Sequence, residues 1–300
     1  MVILMSKIYT TMFWFSITLV VASVILVFVY GLNFGVDFKG GTIIELNFEK
    51  EMPTAGEVQD SLSSFSEISV SFVGSSSVVI RTTELTEDKH QETLAVLRGS
   101  FPNSSFREDR FDSVGPVIGN ELKQKSATAI VLVLAAVIFY IAIVFRTLSR
   151  TLSPWVMGLA AIVALLHDVI IPLGVFAVLG HFYGIEISAV FVAAVLTILG
   201  YSVADTVVVF DRVRENVIRG GNVRQAVDFP GVVHKSILQT MTRSLNTTFT
   251  TLLSLFAIYF FGGESIRYFA LALIIGIFLG AYSSIFVASP LLVWWSRNSH

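Results

Sequence analysis

Ionisable side chains interrupt apolar stretches of this 300-residue chain at three places: Asp205, Arg243 and the adjacent pair His167 and Asp168. An ionisable group inside a membrane-spanning helix costs several kcal/mol unless it is paired or hydrated, so each such residue predicts a functional site. A carboxyl or imidazole group in that setting can pass a proton. We therefore take these four residues as the candidate functional residues.

Asp205 and Arg243 are predicted to reach similar depth in two antiparallel helices. Asp205 precedes Asp211 by six residues, or about 9 Å of helix, and Arg243 follows Lys235 by eight residues, or about 12 Å. Asp211 and Lys235 are predicted to anchor the same membrane interface, so a buried contact between Asp205 and Arg243 is possible. The alternative is an ion pair that only locks two helices together.

Polar side chains surround both residues. A helix that faced lipid would not carry so many hydroxyl and amide groups, so these side chains are predicted to face the bundle interior or a water-filled path. They are Tyr201, Ser202, Thr206, Gln239, Thr240, Thr242, Ser244, Asn246, Thr247 and Thr248.

The His167 and Asp168 pair lies near the middle of another apolar run, and Pro172 follows one turn later. Adjacent residues on a helix point about 100° apart, so the two side chains are not expected to share one partner. Two interpretations stay open for the pair. One is a proton relay, and the other is interhelical hydrogen bonding that stabilises the bundle.

The composition predicts that the elements holding these residues are membrane helices. Hydrophobic residues make up 54% of the chain, charged residues 14%, and the mean hydropathy is +0.76. A soluble domain carries about 25% charged residues. Apolar runs long enough to cross a bilayer, about 20 residues each, predict six transmembrane helices at 10–31, 126–146, 154–180, 187–209, 240–261 and 267–295.

The same composition excludes several classes of site. The chain has no cysteine, which excludes a disulfide framework, a thiolate metal site and a cysteine nucleophile, and its net charge of −2 gives no indication of a nucleic-acid partner. No phosphate-binding loop, zinc-protease motif or serine-hydrolase motif is present, so neither ATPase nor protease activity is predicted. We expect no cofactor, no metal and no enzymatic activity. We also expect that the first helix is not a cleaved signal peptide.

Basic residues near the helix ends predict the orientation. If the N-terminus is cytoplasmic, nine of these basic residues lie on the cytoplasmic side and four on the outer side. This excess favours both termini in the cytoplasm. The nine are Lys7, Arg146, Arg150, Arg212, Arg214, Arg219, Arg224, Lys235 and Arg297, and the four are Lys39, Lys123, Lys125 and Arg267. The predicted organisation is a first helix at 1–31, an extracytoplasmic domain at 32–125, and a five-helix bundle at 126–300 with a cytoplasmic loop near 210–240.

The segment 32–125 carries 15 acidic and 9 basic residues and is typical of a soluble domain. Strand patterns at 42–48, 68–73, 78–82 and 105–113 alternate with two helices, one capped by Thr54 and ending near Phe65, the other capped by Thr86 and ending near Leu97. The order β-α-β-β-α-β predicts an α+β ferredoxin-like fold. His90, on the second helix, is expected to be a solvated surface residue.

Two motifs of small residues are predicted to be structural. The glycine-rich segment 31–41 is interpreted as a tight exit turn from the first helix into the soluble domain. In the sixth helix Gly276-x-x-x-Gly280 is followed by Ser283 and Ser284, a spacing that favours close helix packing over a ligand role.

Motifs along the whole chain resemble the SecF side of the SecD/SecF family of protein-export membrane proteins. The segments that carry the resemblance are GLNFGVDFKGG at 31–41, SVGPVIGNEL at 113–122, ALLHDVII at 164–171, GYSVADTVVVFDRVREN at 200–216, TRSLNTTFTT at 242–251, FGGESIRYFALAL at 261–273 and YSSIFVASPLL at 282–292.

The resemblance implies a subunit that pairs with SecD in a pseudo-symmetric twelve-helix assembly, similar to resistance-nodulation-division transporters, beside the SecYEG channel. It implies that proton flow helps late-stage translocation of a preprotein, after the SecA ATPase has started it, across the bacterial cytoplasmic (inner) membrane, with membrane lipid around it. The family's intramembrane acid and base fall on Asp205 and Arg243. Ala204 and Ser244 depart from the residues that the family often has there, asparagine and threonine.

The sequence leaves three alternative functions. The first is a purely structural membrane subunit that stabilises SecD and the channel. The second is an intramembrane aspartyl protease, which needs paired carboxyls, whereas Asp168 and Asp205 are expected at different depths. The third is an independent small-molecule efflux pump, of which six helices would form only half.

Overall fold

The computed structural model describes residues 2–49, 52–63, 68–73, 77–146, 153–219 and 228–298. Contacts divide the chain into two compact units, Met1–Asn33 with Thr128–His300, and Phe34–Ala127. The elements are α1 (Val2–Tyr30), α2 (Val36–Lys39), β1 (Gly41–Phe48), α3 (Ala55–Ser61), β2 (Ser69–Val73), β3 (Ser77–Thr82), α4 (Glu87–Ser100), β4 (Phe106–Val114), α5 (Pro116–Val144), α6 (Pro154–Tyr183), α7 (Ala189–Arg219), α8 (Phe229–Phe261), α9 (Glu264–Ser283), a π-helical segment (Ser284–Ala288) and α10 (Ser289–Asn298).

Six helices in the described residues are long and apolar enough to span a membrane, which confirms the predicted number. Helix α8 begins eleven residues before the predicted start at 240. It does so because Asp228 caps its N-terminus by accepting a hydrogen bond from the Gly231 amide at 3.2 Å, and Pro230 is favourable in a first helical turn. The spans are Lys7–Tyr30, Pro116–Val144, Pro154–Tyr183, Ala189–Arg219, Phe229–Phe261 and Ile266–Ser296.

Glycines let pairs of membrane helices approach closely. A Cβ added to Gly280 of α9 would lie 3.0 Å from Ser202 Cβ of α7, and one added to Gly276 would overlap Ile198. A Cβ on Gly174 of α6 would lie 2.5 Å from Ser23 Cβ of α1. Small residues in the sixth span therefore serve the close packing that the sequence predicts.

The four strands of the second unit form one antiparallel sheet in the order β2-β3-β1-β4, which confirms the ferredoxin-like prediction. Leu62, the residue after α3, and Leu97 of α4 pack in a core with Ile44, Leu46 and Ile80 of the central strands, all fully buried. Predicted strand bounds agree to within about one residue. The predicted helix end at 65 was wrong, because α3 ends at Ser61 and the chain turns at Leu62 and Ser63.

The first helix of this unit has the N-terminus that the sequence predicts. Thr54 Oγ1 accepts a hydrogen bond from the Glu57 amide at 3.3 Å, and the Glu57 carboxylate accepts one from the Thr54 amide at 2.7 Å. The Thr54 amide, and then the Thr54 hydroxyl at 2.9 Å, donate to the Glu57 carboxylate and hold the pKa of Glu57 below its usual value. Thr86 occupies the N-cap of α4, but its hydroxyl makes no capping bond.

The expectation for His90 was wrong. The side chain is buried, with 5% exposed, because its face of α4 packs on β4. The His90 ring stacks on Phe111 with centroids 3.8 Å apart, and Nε2 lies 2.9 Å from Glu108 Oε1. His90 is therefore part of the interior of this unit.

The glycine-rich exit turn contains backbone that favours glycine. Gly40 and Gly41 have φ values of 79° and 124°, which L side chains rarely adopt. A Cβ on Gly40 would also lie 2.7 Å from Pro116 Cα, so this position excludes any side chain. Thr42 then begins the strand with its hydroxyl 2.8 Å from that of Ser113 on β4.

Candidate functional site

The Asp168 carboxylate joins three membrane helices. It is fully buried, and Oδ2 accepts hydrogen bonds from Ser202 Oγ of α7 at 2.6 Å and from Ser283 Oγ of α9 at 2.8 Å. His167 Nδ1 lies 2.9 Å from Oδ1. The two adjacent side chains thus contact each other. The sequence argument, in which they point apart and share no partner, did not allow for side chains that curl toward one another.

His167 extends the same network toward α1. Its ring stacks on Tyr282 with centroids 6.0 Å apart. The Tyr282 hydroxyl donates to Met12 O at 2.9 Å and accepts from Ser16 Oγ at 3.1 Å. His167 Nε2 is buried and has no partner among the described residues. Ordered water commonly satisfies a polar atom in such a position.

Asp205 is held by hydroxyl groups from two other elements. Its Oδ2 accepts from Ser244 Oγ of α8 at 2.6 Å and from Ser284 Oγ of the π-helical segment at 3.0 Å. The residue is 9% exposed. Both partners are neutral, so the carboxyl is fixed by hydrogen bonds and not by a contacting cation.

Arg243 does not contact Asp205. No ion pair within 4 Å joins it to an acidic side chain in the described residues, and Arg243 itself is exposed on the surface of this chain. The next residue of α8, Ser244, takes the position facing Asp205, because successive helical side chains point about 100° apart. The two residues lie on neighbouring helices of the bundle, but the direct contact that the sequence makes possible is not formed.

Ser283 and Ser284 are consecutive residues that reach the two carboxylates separately. Each hydroxyl also lies near a carbonyl of its own helix, Ser283 Oγ at 3.2 Å from Gly280 O and Ser284 Oγ at 3.0 Å from Ala281 O. A hydroxyl has one hydrogen to donate and lone pairs to accept with. Each serine can therefore donate to an ionised carboxyl, or donate to its own carbonyl while accepting the proton of a neutral one.

The polypeptide changes its helical repeat where these serines lie. Ser284 begins the π-helical segment, and Ser289 Oγ donates to the Ser284 carbonyl at 2.7 Å. Single π-turns inside α-helices are frequent at functional sites. The wider turn places both consecutive serines on the inner side of the bundle, where each is fully buried.

Two further buried hydroxyls lie on the helices that hold Asp205. Thr206 Oγ1 of α7 and Thr248 Oγ1 of α8 have no hydrogen-bond partner among the described residues. Thr206 follows Asp205 directly, and Thr248 is one turn beyond Ser244. Together with His167 Nε2, they give the interior polar atoms that water can bridge.

Sequence reasoning missed the role of Tyr282, Ser283 and Ser284. It read the small residues of the sixth span as packing, and it identified Ser202 and Ser244 only as flanking polar groups. The available signal was two adjacent serines in an apolar helix beyond a glycine motif. Among the described residues, no group of three His, Asp or Glu side chains is arranged to hold a metal ion. No hydrogen bond joins Asp168 to Asp205 within that same set.

Comparisons with known proteins agree over most of the chain. Residues 95–298 match the profile described as protein export membrane protein SecD/SecF, C-terminal, and residues 25–52 match the SecD/SecF GG motif. The chain is similar to protein translocase subunit SecF of Thermobaculum terrenum, with 40% identity over 94% of this chain and 90% of that protein.

Two longer proteins match over part of their own length. Protein translocase subunit SecDF of Brucella abortus is 37% identical over 88% of this chain and 33% of its own. The crystal structure of SecDF from Thermus thermophilus, described as a translocon-associated membrane protein, superposes with a TM-score of 0.80 at 33% identity, covering 96% of this chain and 38% of that one.

Proposed function

This chain belongs to the SecD/SecF family of protein-export membrane proteins, and from that membership we propose that it acts as a SecF subunit whose buried carboxyls couple proton flow to late-stage preprotein translocation. It is a multi-pass membrane protein. The proton-coupling residues in this proposal are Asp205, Arg243, His167 and Asp168.

The observation that supports the proposal best is the setting of Asp205. A buried carboxyl is expensive to keep in a membrane unless it is satisfied, and here neutral hydroxyls of α8 and the π-helical segment satisfy it. A contacting arginine would hold the carboxyl in one charge state. Serine hydroxyls can serve either state, so this setting suits a group that gains and loses a proton.

Protonation of Asp205 changes which element it holds. As a carboxylate it accepts from both Ser244 and Ser284. As a neutral acid it donates one hydrogen bond, and Ser284 can return its own hydrogen to Ala281 O. The contact between α7 and the π-helical segment then weakens, which biases the packing of the sixth span against its neighbours.

The free energy of one proton crossing the membrane is sufficient for such a change in helix packing. One proton moving across about 100 mV supplies about 2.3 kcal/mol. This changes the ratio of two conformations by roughly fiftyfold. One proton can therefore tilt a balanced packing equilibrium, but repeated cycles are needed to move a polypeptide.

The proposed partner is SecD. Two of the relatives are single chains named SecDF, and this chain matches about a third of the length of each. Arg243, exposed on this chain beside α7, would complete its interactions in the assembled complex, where its charge would act on Asp205 at a distance. We extend the proposal to the SecYEG channel, the translocating preprotein and surrounding lipid as further partners, and we propose no enzymatic activity.

His167 and Asp168 are proposed as a second proton-binding site on the proton path. Asp168 and Asp205 are bonded to adjacent serines, Ser283 at the end of α9 and Ser284 at the start of the π-helical segment. The His167 ring stacks on Tyr282, which is hydrogen-bonded to α1. The competing function is purely structural, since Asp168 also ties α6, α7 and α9 together. That alternative predicts that Asp168→Asn lowers the amount of assembled complex rather than its activity.

The proposed topology places both termini in the cytoplasm of a bacterial cell and the unit Phe34–Ala127 outside. The nine basic residues predicted at the inner helix ends support this orientation. Reagents that label cysteines only from outside would test it, because the chain has no native cysteine. Labelling at Ser100→Cys, but not at Ser296→Cys, is expected.

The test of function is preprotein export into membrane vesicles with an imposed proton gradient. Asp205→Asn is compared with native protein and with Asp211→Asn, a change on the same helix that removes a surface pair with Arg214 at 3.0 Å. At matched levels of assembled complex, Asp205→Asn should abolish stimulation by the gradient, and Asp211→Asn should retain it. Retained stimulation in Asp205→Asn would leave this chain with a structural role.

A further inference from the structure

A cavity of about 500 Å³ opens between α1, α8 and α10, remote in sequence from the buried carboxyls. Its walls combine the aromatic residues Tyr9, Phe13, Trp14 and Trp294 with aliphatic and small residues. The residues used below are Tyr9, Trp14, His234 and Trp294. This cavity, hereafter the groove, belongs to none of the contacts assigned above.

The groove lies where three membrane spans end. Lys7 begins the first span and precedes Tyr9 by two residues, and Ser296 ends the last span two residues after Trp294. A hydrogen bond of 3.1 Å between the Tyr9 hydroxyl and His234 Nδ1 joins α1 to the first turns of α8 at this level. Tryptophan and tyrosine concentrate at the membrane–water interface, so the groove opens at headgroup depth.

Two lysines are near neighbours of the lining residues in sequence: Lys7 precedes Tyr9 by two residues, and Lys235 follows His234 directly. Helices α1, α8 and α10 contain no Asp or Glu. Lys7 on α1 and Lys235 on α8 are exposed and form no ion pair within 4 Å in the described part of the chain. The acid next to α8, Asp228, is engaged by the Gly231 amide, and His234 by Tyr9.

The walls are open to an apolar occupant. Trp14 is 62% exposed and Trp294 57% exposed, on two different elements that face the same cavity. One turn of an α-helix, about 5.4 Å long and 10–12 Å across, fills roughly 400–600 Å³. A slender acyl chain, which is narrower than a helix, can lie along the cavity.

We propose that the groove binds an anionic phospholipid. The acyl chain packs between Trp14 and Trp294, and the phosphate is met by Lys7 and Lys235. Basic pockets between membrane helices at the interface bind acidic headgroups in this way. Lysine stems pack along apolar surface while their ammonium groups reach the headgroup layer, which suits both residues. The proposal rests on the groove alone and does not depend on proton coupling.

The two tryptophans provide the test. In full-length protein carrying Trp155→Phe and Trp295→Phe, only Trp14 and Trp294 remain to fluoresce. The protein is placed in vesicles that contain phosphatidylcholine and phosphatidylglycerol. In one sample only the phosphatidylcholine is brominated, in the other only the phosphatidylglycerol, and the mole fraction of brominated lipid is the same in both. Bromine quenches tryptophan on contact, so a bound anionic lipid should quench at least twofold more strongly than phosphatidylcholine.

Charge variants identify the headgroup contact. Lys7→Gln with Lys235→Gln should reduce quenching by brominated phosphatidylglycerol to the phosphatidylcholine level. Arg146→Gln, an exposed basic change at the end of another span, should leave the preference intact. Equal quenching by both lipids, or a preference that survives the double lysine variant, would overturn the proposal. Weak quenching by both lipids would also overturn it, because a protein segment would then fill the groove.

Discussion

Replacing Ser284 with alanine removes one of the two hydroxyls that hydrogen-bond Asp205. A hydrogen bond to a charged group contributes about 1.5–3 kcal/mol, against about 0.5–1.5 kcal/mol between neutral groups. Both residues are buried, so water does not readily replace the lost donor. We expect Ser284→Ala to lower the free energy of unfolding in detergent micelles by about 1.5–3 kcal/mol.

A double-mutant cycle separates this bond from general packing. In an Asp205→Asn background the acceptor is neutral, so Ser284→Ala should cost only about 0.5–1.5 kcal/mol, which leaves a coupling energy near 1 kcal/mol. Ser236→Ala is the matched control. Its buried hydroxyl donates to Val232 O at 2.8 Å, away from Asp205, and its cost should be equal in both backgrounds. Costs of Ser284→Ala that are equal in both backgrounds would refute the assigned bond.

The same residue has a functional readout. Ser284→Thr keeps the hydroxyl and should retain gradient-stimulated export, whereas Ser284→Ala should reduce it at matched levels of complex. A structural role alone would lower both variants in proportion to their stability. The comparison therefore separates the positioning of the Asp205 carboxyl from its contribution to folding.

Three further changes have expected outcomes. Gly174→Ala should destabilise the bundle by about 1–3 kcal/mol, because its Cβ meets α1 backbone, whereas Gly200→Ala, with open space around it, should be neutral or stabilising in the same unfolding assay. Thr54→Ala should cost about 1 kcal/mol. Thr54 lowers the pKa of Glu57, so the stability that this cap contributes is present above the usual glutamate pKa and is lost as pH falls through the lowered pKa. The free energy of unfolding of Thr54→Ala should therefore lack this dependence on acid pH. His90→Ala should cost the unit Phe34–Ala127 about 2 kcal/mol, measured by loss of its amide protection from hydrogen exchange.

The sequence predicts the spans and the outer fold because both rest on repeating patterns. Runs without charge give six helices, and alternating strands with turns give the β-α-β-β-α-β order. Helix α8 shows the limit of this approach. Its first turns interrupt apolar residues with His234, Lys235 and Gln239 and are held by the Asp228 cap, so hydropathy alone begins the span too late.

The sequence predicts which carboxyl groups are buried but not which side chains form hydrogen bonds with them. The positions of Asp205 and Asp168 in apolar runs are enough to predict that their carboxyl groups are buried in the membrane at a cost in free energy. Which side chain satisfies each carboxyl depends on helix rotation to within one residue, so Ser244 and not its neighbour Arg243 reaches Asp205. The π-helical segment that brings Ser284 inward has no periodic signal in the sequence.

The most direct test of the account is proton movement during translocation. Vesicles that contain the complex with SecD and the channel would enclose a pH-sensitive dye, and proton flux would be followed as preprotein enters. We predict that translocation increases proton flux in native protein and in Asp211→Asn, and that Asp205→Asn abolishes the increase with the complex intact. An unchanged increase in Asp205→Asn would contradict the central claim that this carboxyl couples proton flow to export.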